Sequence, residues 1–160
     1  MHVRSAEERD ISAIEALYRE MNQVMASYQP DDFLPVPQAQ EFLQELVSKP
    51  EFEVLLAEDG AQVCGMAVLK VAHTPPYTIC VPHRFGYLMD LCVKSSCRGK
   101  GIGKQLLDAA KGWIRQRGLE YLELSVLEEN KRAAELYRRE GFRDTLHRMR
   151  YTPEEESLEE

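Results

Sequence analysis

No apolar run in this chain approaches the length needed to cross a bilayer, and its first residues lack the basic-then-apolar order of a secretory leader. The expected setting is therefore the cytoplasm, with no membrane partner. Cysteine is sparse: Cys64, Cys80, Cys92 and Cys97 contain no CxxC pair and match no zinc or redox spacing. In a reducing compartment they are expected as free thiols, with Cys64 and Cys92 serving as small core residues. The histidines, His2, His73, His83 and His147, are scattered, which argues against a metal site. Positive charge is in deficit: 20 Lys and Arg against 27 Asp and Glu give a net charge of −7. That balance argues against general nucleic-acid binding, which needs a basic face, and is compatible with a cationic substrate. There is no internal repeat.

What is present suits one globular domain. The 160 residues are 44% hydrophobic and 29% charged, enough to bury a sizeable core. The expected domain covers residues 1–151, followed by an acidic, disordered tail over residues 152–160. Val3 and Arg4 suit a short strand. Asp10 is placed to cap a helix whose apolar stripe is Ile11, Ile14, Leu17, Tyr18, Met21 and Met25. Pro30, Pro35 and Pro37 interrupt it, and a second helix is predicted over residues 38–48. Strands over 53–58 and 62–72 flank Asp59-Gly60, a strong hairpin signal. A loop over 73–84 precedes a strand over 85–93 that is apolar on both faces and so central. In strict alternation Phe85, Tyr87, Met89, Leu91 and Val93 share one face, and Gly86, Leu88, Asp90 and Cys92 the other. A helix follows up to Gly118, then a strand over 119–127, a short helix capped by Asn130 and stopped by Gly141, and one or two antiparallel strands over 142–151. A strand, a crossover helix and a strand imply a parallel pair. The fold class is α/β with a mixed sheet and helices on both faces.

The most informative stretch is Arg98-Gly99-Lys100-Gly101-Ile102-Gly103-Lys104. It joins the central strand to an amphipathic helix carrying Ile102, Leu106, Ala109, Ala110 and Trp113. A glycine-rich turn there bares backbone N–H groups where the helix dipole already favours negative charge, a seat for phosphate oxygens. The P-loop pattern fails: Arg98 stands where its first glycine is needed, and Gln105 replaces the metal-holding hydroxyl. The dinucleotide pattern fails as well, because it needs glycine at Lys104 or at Leu106. The pattern that fits is R-x-x-G-x-G, met by Arg98, Gly101 and Gly103.

That pattern, preceded by Leu91-Cys92-Val93 and followed by Asn130-x-x-Ala133-x-x-Leu136-Tyr137-x-x-x-Gly141-Phe142, resembles the GCN5-related N-acetyltransferase (GNAT) superfamily. The resemblance spans roughly Val3 to Tyr151. It implies a mostly antiparallel sheet splayed at the cofactor site, and acetyl-CoA as donor co-substrate. By resemblance, backbone amides of Arg98, Gly99, Lys100, Gly101, Ile102, Gly103 and Lys104 cradle the pyrophosphate. Leu91, Cys92 and Val93 offer strand-like pairing to the pantetheine arm, and Asn130, Ala133 and Tyr137 lie beside it. The strand must part from its neighbour to do this, because a paired edge has no free groups. Asp90, a charge inside an apolar run, marks where a bulge is expected.

Acetyl transfer to an amine needs a neutral nucleophile, a donor for the oxyanion and a hydrogen bond or proton for the leaving thiolate. A free N–H near Leu91 or Cys92 suits the second need. Tyr137 matches the family position for the third. Asp90 is the nearest candidate base, with Glu123 or His83 as substitutes. The resemblance points to residues 25–36 and 73–84 as shapers of the acceptor pocket. A small amine, an aminoglycoside, an amino acid or a protein or peptide amine all remain open. A homodimer is implied by family analogy alone. The competing reading is a non-catalytic acyl-CoA-binding sensor or partner domain.

Overall fold

A computed structural model describes residues 1–154; residues 155–160 of the expected acidic tail lie outside the described residues. The strands are β1 (His2–Ser5), β2 (Phe52–Asp59), β3 (Gln62–His73), β4 (Arg84–Val93) and β5 (Leu122–Leu124). The helices are α1 (Ile11–Tyr28), α2 (Gln40–Ser48), α3 (Ile102–Gln116) and α4 (Lys131–Arg139). The sheet runs in chain order from β1 to β5; its first three pairings are antiparallel and β4 with β5 is parallel. The mixed sheet is therefore as expected. Among the described residues no helix is long and apolar enough to cross a membrane.

Each face of the sheet buries its own apolar layer. Leu55, Ala67, Leu69 and Leu88 pack under α3 through Ile102, Leu106, Leu107 and Ala110, with Leu136 and Tyr137 of α4 at the margin. Leu56, Met66, Val68 and Cys92 pack under α1 and α2 through Ile14, Leu17, Tyr18, Leu43 and Leu46. Non-polar burial on both faces explains the apolar runs of the central strands. Asp10 does not cap α1 with its side chain. It is buried instead, receiving two hydrogen bonds from the Arg4 guanidinium at 2.7 and 2.8 Å and one from the Glu7 amide. Arg4 holds its carboxyl down at about 2.

The close seating of α3 predicts a local sensitivity. A Cβ at Gly86 would stand 2.6 Å from Ile114 Cγ2 and 3.0 Å from Trp113 Cζ3. Gly86→Ala is expected to destabilise the protein by about 1–3 kcal/mol through overpacking, read as a lowered midpoint in urea denaturation.

Two expectations need correction. Residues 142–151 form no strand. Phe142 turns inward, its ring centroid 5.8 Å from that of Tyr137, but Leu146, Met149 and Tyr151 are strongly exposed. Strand propensity is realised only against a partner, and β5, three residues long, offers little edge. Ion pairs hold the segment instead, Arg138 with Asp144 and Arg150 with Asp32. The second correction concerns β4. Val68 pairs with Asp90 and Leu69 with Leu88, so Met89 is an extra residue without a partner. This bulge breaks the alternation. Gly86 and Leu88 face α3, whereas Asp90 and Cys92 face α1 together with Met89.

Candidate active site

The bulge at Met89 is also where the sheet opens. β5 pairs with β4 only from Gly86 to Leu88. Beyond Leu88 the outer edge of β4, carrying Asp90, Leu91, Cys92 and Val93, has no strand beside it among the described residues. A cleft of about 120 Å³ lies here, lined by Glu20, Met21 and Val24 of α1, Leu91, Cys92 and Val93 of β4, Arg98 and Asn130. Pockets that enclose a whole small molecule run to roughly 300–1,000 Å³, so this is a narrow slot. A larger hollow of about 340 Å³ between β1, β2 and α3 borders neither β4 nor the glycine turn.

Beyond β4 the chain makes a short 3₁₀ turn over Ser95–Cys97 and enters the glycine turn. Gly99 and Gly101 have φ of +80° and +75°, left-handed values that favour glycine. No protein atom lies within 4 Å of a Cβ built at either one, so the turn faces open space. Among the described residues the amides of Gly99, Lys100, Gly101, Ile102, Gly103 and Lys104 have no protein acceptor; the first bonded amide of α3 is that of Gln105, to the Gly101 carbonyl. A run of unsatisfied amides at a helix start is an anion seat. Arg98 and Lys100 are exposed beside it. Lys104 is engaged elsewhere, 2.9 Å from Asp108 and 3.8 Å from Glu140. Gly103 is different in kind: its Cβ would meet Leu136 Cδ2 at 3.1 Å, so this glycine lets α4 sit against α3.

α4 flanks the slot. The Asn130 side chain accepts the Ala133 amide at 3.2 Å, capping the helix while lining the cleft. Ala133 is half-buried on the next turn. Tyr137, also half-buried, has its phenol pushed up to about 12 by burial, with the Asp90 charge adding to the shift. Asp90 lies on the α1 side of β4 and takes a 2.7 Å hydrogen bond at Oδ2 from the Tyr18 hydroxyl. Burial raises its carboxyl to about 6, against the lowering effect of that bond. Burial likewise pushes the Cys92 thiol up to about 12, which makes it a neutral wall residue.

The other candidates separate from this group. His83 lies just before β4, seven residues from Asp90 and roughly 20 Å away by strand rise, with Nδ1 3.0 Å from Glu120. Residues 74–83 contribute nothing to the cleft lining. Glu123 pairs in register with Tyr87 and is exposed. Of the two expected acceptor segments, only the one after α1 comes near the slot: the Gln29 side chain donates to Glu129 at 2.9 Å, linking the end of α1 to the loop before α4. Sequence reasoning missed Glu20, which accepts the Ser95 amide at 2.7 Å and ties α1 to the turn. It also read Tyr18 only as core. A hydroxyl within an apolar stripe was the available signal, because a buried phenol generally finds a partner.

An open-edged β4, a run of free amides and a buried carboxylate thus lie along one strand and the turn after it. The acetyltransferase (GNAT) family profile matches residues 14–142, and the chain belongs to that family. YhfO of Bacillus subtilis, an uncharacterized N-acetyltransferase, is 30% identical over 94% of this chain and 95% of its own length. The protein is an N-acetyltransferase. Among solved structures, the tetramutant of the BH1408 protein from Bacillus halodurans superposes with a TM-score of 0.89, at 24% identity over 96% of this chain and 100% of that one. Aminoglycoside N-acetyltransferase AAC(6')-Iy in complex with CoA superposes with a TM-score of 0.74, at 16% identity over 96% and 99%.

Proposed function

We propose that this protein moves the acetyl group of acetyl-CoA directly to the amine of a small molecule within a ternary complex. The observation that carries this reading is the open edge of β4, with Asp90 at its start and the free-amide turn following its end. The amides of Gly99 to Lys104 take the diphosphate, with Arg98 and Lys100 adding charge-assisted contacts. Leu91, Cys92 and Val93 pair with the pantetheine arm, against Asn130 and Ala133. The thioester supplies the activated acetyl group. Asp90 takes the proton that the ammonium must lose, directly or through one water. With its carboxyl near 6 rather than in the ordinary carboxylate range, it is a better base for an ammonium near 10. A β4 amide meets the developing oxyanion. As nitrogen bonds to the carbonyl carbon and the C–S bond breaks, the electron pair leaves on sulfur, the nitrogen's second excess proton passes to that thiolate or to water, and the Tyr137 O–H bonds to the sulfur.

Tyr137 does this as a donor, not as an acid. A phenol near 12 against a thiol near 8.5 makes full transfer uphill by about 5 kcal/mol. Tyr137→Phe is therefore expected to lower kcat by about 10-fold while KM for acetyl-CoA stays within about twofold; steady-state kinetics checks this.

The small-amine acceptor is supported by the kind of relative found. The CoA-bound neighbour is an aminoglycoside acetyltransferase, and a net charge of −7 favours a cationic acceptor. Four cysteines held as thiols support a reducing compartment, the cytoplasm. The test is incubation of pure protein with acetyl-CoA and pooled small amines while freed thiol is detected. At least one pool is expected to raise release above the acceptor-free background. CoA binding with no such pool would overturn the reading.

A further inference from the structure

Tyr18 occupies a position that the chemistry above leaves unused. It is wholly buried at the centre of α1's inward stripe, with Phe42 of α2 edge-on at 6.1 Å between ring centroids. A buried hydroxyl that served packing alone would be a cost, and phenylalanine would fill the same space. Instead the hydroxyl reaches across 72 positions of sequence to Asp90 Oδ2 at 2.7 Å. Among the described residues no other group donates to Asp90, so Oδ1 has no protein donor. One oxygen is clamped and the other is left for a proton.

The geometry points to Tyr18 as the positioning residue of the reaction: its hydroxyl fixes Asp90 Oδ2 so that Oδ1 faces the acceptor amine, and it sets the pH at which Asp90 becomes a base. The inference rests on the reading of Asp90 as the base. Tyr18 suits the task because burial and the neighbouring Asp90 charge push its own phenol far above the usual range, so it donates at every working pH. The titratable groups that face Asp90 are few. Tyr18 comes from α1, Tyr137 from α4 and Cys92 from β4, all three neutral at working pH. α2 contributes only the ring of Phe42 behind Tyr18. Glu20 and Arg98 act on Cys92 at the far end of the slot, with opposite signs.

The sign follows from which form of Asp90 the bond favours. A donated hydrogen bond stabilises the carboxylate, so its removal makes protonation easier. In Tyr18→Phe, Asp90 is expected to titrate about one pH unit higher. The acid limb of kcat/KM moves up by the same amount, and the rate recovers toward the wild-type plateau at alkaline pH. 3,5-Difluorotyrosine at position 18 keeps the ring and the hydroxyl but donates more strongly. It should shift both readouts the other way, and it covers the case in which the phenylalanine variant folds poorly. The carboxyl ¹³C resonance of Asp90, followed through pH in the free protein, gives the titration without any acceptor. An unmoved resonance in both variants, with Asp90→Asn inactive, would remove the role of Tyr18 alone. Unimpaired turnover in Asp90→Asn would instead remove the base itself.

Discussion

Asp90→Asn is expected to reduce kcat/KM by about 100-fold or more while making the protein more stable at neutral pH. Both effects come from one environment. The carboxyl is raised from about 3.8 to about 6 because burial penalises its charge. Relative to an unfolded chain, the folded state therefore binds the Asp90 proton more tightly. The stability that this group contributes is fully present below about pH 3.8 and is lost as pH rises through about 6. At pH 8 the charged side chain costs about 2–3 kcal/mol, which asparagine removes. The variant should thus gain several degrees in melting temperature at pH 8, a gain that shrinks toward pH 4. Wild-type kcat/KM should fall below about pH 6 with a single proton, and the residual activity of the variant should lose that limb. Calorimetry at the two pH values and a pH–rate profile read these outcomes separately. A variant that loses stability at pH 8, or one that retains full turnover, would contradict this account of the site.

Gly101→Val should reduce CoA affinity by at least about 100-fold. Gly101 holds φ +75° at the start of α3, and a β-branched residue is strongly disfavoured there. The turn must then refold locally, which turns the amides of Lys100, Gly101 and Ile102 away from a common centre. Hydrogen bonds to a charged acceptor are worth about 1.5–3 kcal/mol each, so losing two of them gives the stated factor. The cost to the fold should be about 1–2 kcal/mol, because no protein atom lies within 4 Å of a Cβ at this position. Gly103 is a poorer probe. A side chain there presses on Leu136 and shifts the helix that carries Tyr137, which mixes donor binding with catalysis. Titration calorimetry with CoA, beside urea denaturation, separates affinity from stability. An unchanged Kd in Gly101→Val would relocate the diphosphate.

Much of this arrangement is legible in the sequence wherever the signal is local. Asp59-Gly60 marks the β2–β3 hairpin, and Gly60 has φ +63°. Asn130 caps α4 as its side chain suggests. The glycines of residues 99–103 announce a turn with exposed amides because only glycine occupies such backbone routinely. Non-local features are not legible. Strict alternation along β4 misassigns Gly86 and Leu88, since a bulge depends on the register of two strands. The strand expected over residues 119–127 shrinks to Leu122–Leu124 because its partner turns away at Met89. The strands expected over 142–151 fail for lack of an edge to join. The Tyr18–Asp90 bond joins two elements that meet only through packing on β3 and β4, and no spacing rule reports it.

Met89 matters by its presence more than by its side chain. Counting along β4, one supernumerary position inverts the orientation of every later residue, so that Asp90 looks toward α1 and not into the oily layer beneath α3. Removing that single unit would smooth the pairing with β3 yet leave the carboxylate on the α1 side, one step beyond Leu88; keeping it in unbroken alternation would instead turn the carboxylate toward the leucines under α3. The facing of Asp90 in this scaffold is thus set partly by a parity, a property of strand register that a table of tolerated substitutions does not record.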